Sequence, residues 1–423
     1  MQRAIKALKN KLSTTQHRNV LSMIGAEAVA KLSRIVTLLA MAAFLVPAQY
    51  GSAMLALACH DMIRLVLRCG AGSQLVQCSD DQLPAFAKNA VVMQVLLSVT
   101  LAALQYTLAI FLGEFYNNPE LKQLLQQLSA VYLLYPVVSV RVFLLQRSNK
   151  LGYFGFCNGL CVSIENLSIA LLLWLGQGIE VVVYGKFIYA ILWILLFIRV
   201  PVAQYGIGFD WQIFKKLLAN SSKLLQSELS RALRINADVL IAGKLLSPEI
   251  FGIYSFAKSA SIAVSQAFSN AVTTALYPQF CVMQRDGVQS DSVKNIVLLM
   301  GLVCALYATQ ALLAPFYIQW VFGNTWLASI PVAVWLCISA IPIFLIDMVC
   351  VAQRAAGAFT LESHVRLAHL SVLVASLCWL KPESPLALAQ VMLYASSFCL
   401  LLSLSCVKPS KLKQAKAPLC DTM

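Results

Sequence analysis

The sequence predicts an all-α, polytopic membrane protein. Three observations carry that expectation. Hydrophobic residues make up 60% of the 423 positions and charged residues only 12%, whereas soluble domains run near half apolar and a quarter charged. Apolar stretches of about 20 residues, the length needed to cross the hydrocarbon core, recur along the whole chain. Basic residues concentrate in alternate connections between those stretches, as they do in cytoplasmic loops. The same balance excludes an ordinary water-soluble enzyme, and apolar runs this long exclude a disordered chain.

Twelve spans are expected, at roughly 20–45, 50–69, 86–112, 122–146, 152–176, 179–200, 217–244, 250–277, 293–318, 326–350, 360–380 and 385–406. With the N-terminus in the cytoplasm, the inside segments hold 21 lysines and arginines. They begin with Arg3, Lys6, Lys9, Lys11 and Arg18, include Arg354 and Arg366, and end with Lys408, Lys411, Lys413 and Lys416. The outside segments hold four: Lys122, Lys186, Lys244 and Lys381. This asymmetry places both termini in the cytoplasm and requires an even number of spans. The net charge of +14 is then a property of the loops, and no nucleic acid is needed to explain it.

Other signals narrow the function. The first apolar stretch contains Glu27, Lys31 and Arg34, so it is not the core of a cleavable signal peptide. No phosphate loop ending in Gly-Lys-Ser/Thr occurs, so transport would draw on a gradient or a partner. There is no nucleophile elbow and no His-Glu-x-x-His zinc site. The 13 cysteines lie in apolar runs or at span ends. Cys157 and Cys161 are one helical turn apart but lack a further metal ligand nearby, and read as small apolar side chains. No metal and no cofactor are expected.

An internal repeat organises the chain. A shift of 201 positions places Pro47, Tyr50 and Gly51 on Pro248, Phe251 and Gly252, Glu27 on Glu228, and Phe115-Tyr116 on Phe316-Tyr317. A slightly larger shift places Gln146-Arg147 on Gln353-Arg354, each at the end of a fourth span, and Pro136 on Pro342, expected to kink those spans. The expected organisation is a six-helix lobe at 1–200, a cytoplasmic linker at 201–216, a second six-helix lobe at 217–406 and a basic tail at 407–423. Two lobes of like orientation would enclose a central cavity at the repeat interface.

Charged residues inside the spans are the most informative feature, because a charge in hydrocarbon costs a few kcal/mol or more unless it faces a partner or a wet cavity. Glu27, Lys31 and Arg34 share an arc of roughly 60° on the first helix. His60, Asp61, Arg64 and Arg68 share roughly 100° on the second, and Glu228, Arg231, Arg234 and Asp238 roughly 120° on the seventh. Lys258 lies about two turns into the eighth. Two readings are open. In the first, the stripes are ion pairs that fix helix packing: Glu27–Lys31 and Arg234–Asp238 at i,i+4, Asp61–Arg64 and Glu228–Arg231 at i,i+3. In the second, the six cations Lys31, Arg34, Arg64, Arg231, Arg234 and Lys258 bind an anionic substrate, while the four carboxylates Glu27, Asp61, Glu228 and Asp238 balance them and couple an ion. The cationic surplus and the fit of arginine to phosphate favour the second.

Single residues carry less. Glu165, Asn166 and Asp347 read equally as cavity groups or as packed hydrogen-bonded ones. His60 reads as polar packing ahead of a proton relay. Arg141 snorkels from the end of its span. His364 and His369 are expected at the interface, and Trp174, Trp320 and Trp326 in an outer aromatic belt.

The run from Asn236 and Asp238 through an apolar stretch to Gly252, Tyr254, Ala257 and Lys258 resembles the middle signature of bacterial polysaccharide flippases. Tyr277-Pro278-Gln279-Phe280, Pro47 to Gly51, Gly70 to Gly72 and Gln146-Arg147 resemble further elements of that family. Cys69 departs from it, standing where an acidic residue often lies. The resemblance implies a Wzx-like transporter with the fold shared by multidrug and toxin exporters and peptidoglycan-precursor flippases. It implies an undecaprenyl-diphosphate-linked oligosaccharide, an O-antigen or other surface-polysaccharide unit, moved across the bacterial inner membrane. The implied partners are that lipid-linked substrate, membrane lipids, and a polysaccharide polymerase with its chain-length machinery. Competing expectations are a drug or cation exporter of the same fold, an integral-membrane polymerase or ligase, and a membrane scaffold.

Overall fold

The computed structural model describes residues 25–68, 71–148, 150–200, 205–286 and 290–406. The basic N-terminus, Cys69, Gly70 and the basic tail singled out above lie outside them. The described residues are helical almost throughout and include no strand.

The helices are α1 (25–44), α2 (Pro47–Arg68), α3 (Gly72–Gln77), α4 (Leu83–Phe115), α5 (Pro119–Ser129), α6 (Pro136–Arg147), α7 (Leu151–Trp174) and α8 (Val181–Ile198). They continue with α9 (Trp211–Leu245), α10 (Pro248–Asp286), α11 (Ser290–Tyr317), α12 (Ile330–Ala355), α13 (Phe359–Leu380) and α14 (Pro385–Cys406). Eight of these segments are long and apolar enough to cross a membrane, and a ninth forms if the bent pair of α5 and α6 is one span. The other three long helices, α1, α9 and α10, cover expected spans but carry the charged stripes. Hydropathy alone therefore supports eight or nine spans, not the expected twelve.

Local chemistry sets the helix limits. Proline occupies the first position of α2, α5, α6, α10 and α14, where its missing N–H is no loss. Asn118 caps α5 by accepting from the Leu121 amide at 2.9 Å. Helix α12 closes at Gly357, which takes φ +74° while Ala358 N–H donates to Gln353 O and Gly357 N–H to Arg354 O. Asn117, at φ +50°, performs the same closure at the end of α4.

Of the positions aligned in the expected repeat, Pro47 and Pro248 both start helices, and Arg147 and Arg354 both lie in last turns. The prolines of the fourth spans differ. Before Pro136 the chain passes through a 3-10 segment, Ala130–Leu134, and bends by 57°. Helix α12 runs through Pro342 as one α-helix.

The chain forms two compact units that divide between Leu233 and Arg234, inside α9. In the first, the early part of α9 packs with α3, since Gln74 donates to Leu217 O at 2.8 Å and Asn220 donates to Gln74 Oε1 at 3.1 Å. Leu75, Phe86, Met93, Leu144 and Leu217 form a core there, and Val138, Val142, Cys157 and Phe197 form another between α6, α7 and α8. In the second unit, Val272, Val303, Phe344 and Met348 join α10, α11 and α12, and Ile346, Cys350 and Cys399 join α12 to α14.

Candidate functional site

In the first unit a polar cluster gathers α1, α2, α4, α7 and α8. Arg64 lies 3.4 Å from Asp61 and donates to the Tyr135 hydroxyl at 3.2 Å. Lys186 of α8 lies 2.9 Å from Glu165 of α7, and both side chains are about nine-tenths buried. Arg34, Arg64, Lys186 and His60 are all within electrostatic reach of Asp61. The cluster thus holds Arg34, Arg64 and Lys186 against Asp61 and Glu165.

His60 is fully buried beside these charges. Its Nδ1 lies 3.2 Å from Gln105 Oε1, and the Tyr132 hydroxyl donates to the same oxygen at 2.7 Å. Gln105 Nε2 is spent on Leu125 O at 2.8 Å. Gln105 therefore offers only an acceptor, and His60 must carry its proton on Nδ1. The ring stacks on Tyr132 with centroids 4.9 Å apart. Position 60 is polar packing in this arrangement. Asn166 likewise packs, donating to Ser33 Oγ of α1 at 2.9 Å.

In the second unit Asp238 of α9 is 1% exposed, and Lys258 of α10 sits 2.8 and 2.7 Å from its two oxygens. Tyr254 donates to the same carboxylate at 2.5 Å. Arg234 lies 3.1 Å from Asp347 of α12, not against Asp238 as the i,i+4 spacing suggests. Lys258, arriving from the next helix with three donors, takes both oxygens that Arg234 was expected to share. Asp347 also receives Arg366 of α13 at 3.1 Å, Arg366 reaches Glu362 at 3.0 Å, and Arg354 forks onto Glu362 at 3.0 and 2.5 Å.

The structure pairs five of the six cations read from the sequence with a carboxylate. Glu27–Lys31 at 3.5 Å, Asp61–Arg64 and Glu228–Arg231 are the spacings expected; Arg234 and Lys258 take the partners just described. Arg34 alone of the six has no ion pair among the described residues. Helix packing accounts for the pairs, and among the groups just described together with Arg34 the cations exceed the carboxylates by one in each unit. In the first, Lys31, Arg34, Arg64, Lys186 and Arg231 face Glu27, Asp61, Glu165 and Glu228. In the second, Arg234, Lys258, Arg354 and Arg366 face Asp238, Asp347 and Glu362.

Sequence reading missed Lys186, assigning it to an outside segment although the span 179–200 contains it. It treated Arg366 only as a topology signal and Arg354 as that and as a marker of the repeat. Two interfacial assignments also change. His369 is 3% exposed and shares a hydrogen bond with Ser396 at 3.1 Å, and Trp326 is fully buried with its ring centroid 4.1 Å from that of Phe256. Trp174 and Trp320 are exposed, as a belt requires. Arg141 donates to Ile198 O at the end of α8. Cys157 and Cys161 are buried free thiols, and among the described residues no three His, Cys, Asp or Glu side chains are grouped to hold a metal ion.

Long apolar helices with paired charges among them define a polytopic membrane protein. Residues 40–331 match the family described as polysaccharide biosynthesis protein, and the chain belongs to that family. It is 23% identical over 285 residues to the teichuronic acid biosynthesis protein TuaB of Bacillus subtilis (strain 168), covering 64% of this chain and 56% of that one. It is 25% identical over 160 residues to the amylovoran biosynthesis protein AmsL of Erwinia amylovora, covering 37% and 41%. The matches thus span about half the length of these relatives. The fold is similar to the inward closed conformation of the lipid II flippase MurJ (TM-score 0.73, 14% identity, 93% of this chain and 90% of that one). It is also similar to an inward-facing multidrug resistance MATE family transporter of the MOP superfamily (TM-score 0.66, 14% identity, 93% and 100%). The family is that of polysaccharide biosynthesis proteins, and the fold is the one these two structures share.

Proposed function

We propose that this protein flips an undecaprenyl-diphosphate-linked oligosaccharide, an O-antigen or other surface-polysaccharide unit, across the bacterial inner membrane by alternating access, with both termini in the cytoplasm. The observation that carries the reading is the excess of one cation over the carboxylates in the charged cluster of each unit, with Arg34 in no ion pair among the described residues. An uncompensated cation within a membrane protein is costly unless an anion meets it, and a lipid diphosphate is such an anion. Membership of a polysaccharide biosynthesis family supplies the glycan.

In this reading Arg34 makes the leading contact, because no carboxylate forms an ion pair with its guanidinium among the described residues. Lys31, Arg64, Arg231, Arg234 and Lys258 contribute by exchanging their carboxylates for phosphate oxygens. Glu27, Asp61, Glu228 and Asp238 hold those cations between cycles and couple an ion. The prenyl tail stays in lipid, and a polymerase with its chain-length machinery consumes the flipped unit.

The test replaces the chromosomal copy with Arg34→Gln. Surface polysaccharide should be lost, lipid-linked units should accumulate inside, and protein level should hold. Normal surface polymer in that strain would remove the reading. The MATE likeness favours a second reading, export of cationic drugs. The net positive clusters oppose it, and raised drug resistance on overexpression would restore it.

A further inference from the structure

The second unit holds a chain of charges that the six cations read from the sequence only touch. In order it is Arg354, Glu362, Arg366, Asp347 and Arg234, each joined to the next within 3.1 Å. Three guanidinium groups share two carboxylates. From Arg354 to Asp347 the contacts descend about 10 Å along α12, or two turns.

Next to Arg354 in sequence is an unexplained group. Gln353 is 5% exposed, yet neither its amide nitrogen nor its oxygen has a partner among the described residues. A buried unpaired amide costs about 1–3 kcal/mol. Arg354 next to it is 46% exposed at its side chain and spends only Nε and Nη2 on Glu362. Stapling of α9, α12 and α13 accounts for two carboxylates and two arginines. It accounts for neither the third arginine nor the amide. The α12 C-terminus and the α13 N-terminus, which has no side-chain cap, present opposed dipoles here, so the guanidinium groups must supply the attraction.

We propose that Arg354, Arg366 and Gln353 form a phosphate-binding site at the head of an arginine ladder leading to Arg234. Arginine forks donate to two phosphate oxygens at once, and the Gln353 amide donates to a third. The arriving phosphate displaces Glu362 from Arg354 and cancels the surplus charge. The ligand is a lipid-borne phosphate or diphosphate, from a prenyl carrier or from an anionic phospholipid. The prenyl source rests on the flippase reading; the site itself does not.

The experiment uses the full chain in phosphatidylcholine nanodiscs, titrated with farnesyl diphosphate and with inorganic pyrophosphate. Arg354→Gln and Arg366→Gln should weaken binding tenfold or more. Gln353→Leu should weaken it without lowering the melting temperature, because an unpaired amide is being replaced by an apolar group. Glu362→Gln should tighten binding, because it removes the competing carboxylate; a purely structural network would lose stability with no gain in affinity. If phosphatidylglycerol nanodiscs suppress binding of both probes, the phospholipid headgroup is the occupant; if they do not, the prenyl diphosphate is. Absence of binding in the wild type, or equal binding in all four variants, overturns the site. The flippase reading is judged separately, by surface polysaccharide in Arg34→Gln, so either can fall alone.

Discussion

Lys258 sets its ammonium between both oxygens of Asp238, at 2.7 and 2.8 Å, while the Tyr254 hydroxyl holds the same carboxylate from another side. Two side chains of α10 thus close with three hydrogen bonds on a carboxylate of α9 that water scarcely reaches. Lys258→Met would leave Asp238 charged with one neutral donor. Breaking a buried pair from one side costs about 3–5 kcal/mol, so this variant should melt well below wild type. Lys258→Met combined with Asp238→Leu should recover most of the loss. Thermal melts in detergent check this, and a double variant as unstable as the single would show that the pair is not what holds α9 to α10.

Lys186 and Glu165 should behave unequally. Glu165→Gln removes one carboxylate from Lys186, but Asp61 remains within electrostatic reach of the ammonium. Lys186→Met leaves the nine-tenths buried Glu165 with no cation beside it. The lysine variant should therefore lose more stability than the glutamate variant, and more surface polysaccharide. Melting temperature and polymer yield, measured on both, give the order; the reverse order would remove Lys186 from the cluster.

Much of this was legible in the sequence. The all-helical class follows from apolar runs of membrane length, and prolines at helix starts mark where α2 and α10 begin. Charge stripes on the first two helices of each half foretell which helices carry polar groups, and i,i+3 and i,i+4 spacing gives three of the five pairs. Partners from other helices were not legible. Asp347 lies 113 positions from Arg234, and periodicity on α9 says nothing about what α12 presents to it. The burial of Trp326 was hidden because an indole near a span end suits both a belt and a core, and only Phe256 opposite decides. Lys186 was hidden by treating a basic residue near a span end as a loop residue.

Trp326 and Trp320 form a natural contrast. Trp326 is fully buried against Phe256, and Trp320 is 88% exposed. Trp326→Ala should cost about 3–5 kcal/mol, the usual penalty for emptying a large aromatic site in a core. Trp320→Ala should change stability by no more than about 0.5 kcal/mol, as for surface positions. Parallel melts decide it: equal losses would mean that Trp326 is not a core residue.

Gly185 links helix packing to the first charge cluster. A Cβ at this position would lie 2.6 Å from Ile169 Cγ1 and 2.7 Å from its Cδ1, with Glu165 Cγ at 3.5 Å. Isoleucine is stiff at χ1, so Gly185→Ala must push α8 away from α7. Such overpacking costs about 1–3 kcal/mol. Lys186 is the next residue, and its 2.9 Å contact with Glu165 spans the same two helices, so the displacement should also stretch the ion pair. Ile169→Ala in the same chain reopens the space on α7 without touching either charge. The double variant should regain surface polysaccharide that Gly185→Ala alone loses, even though Ile169→Ala by itself removes buried apolar volume. Recovery would tie output to the α7–α8 spacing that positions Lys186, and a double variant with lower polymer yield than either single would break that tie.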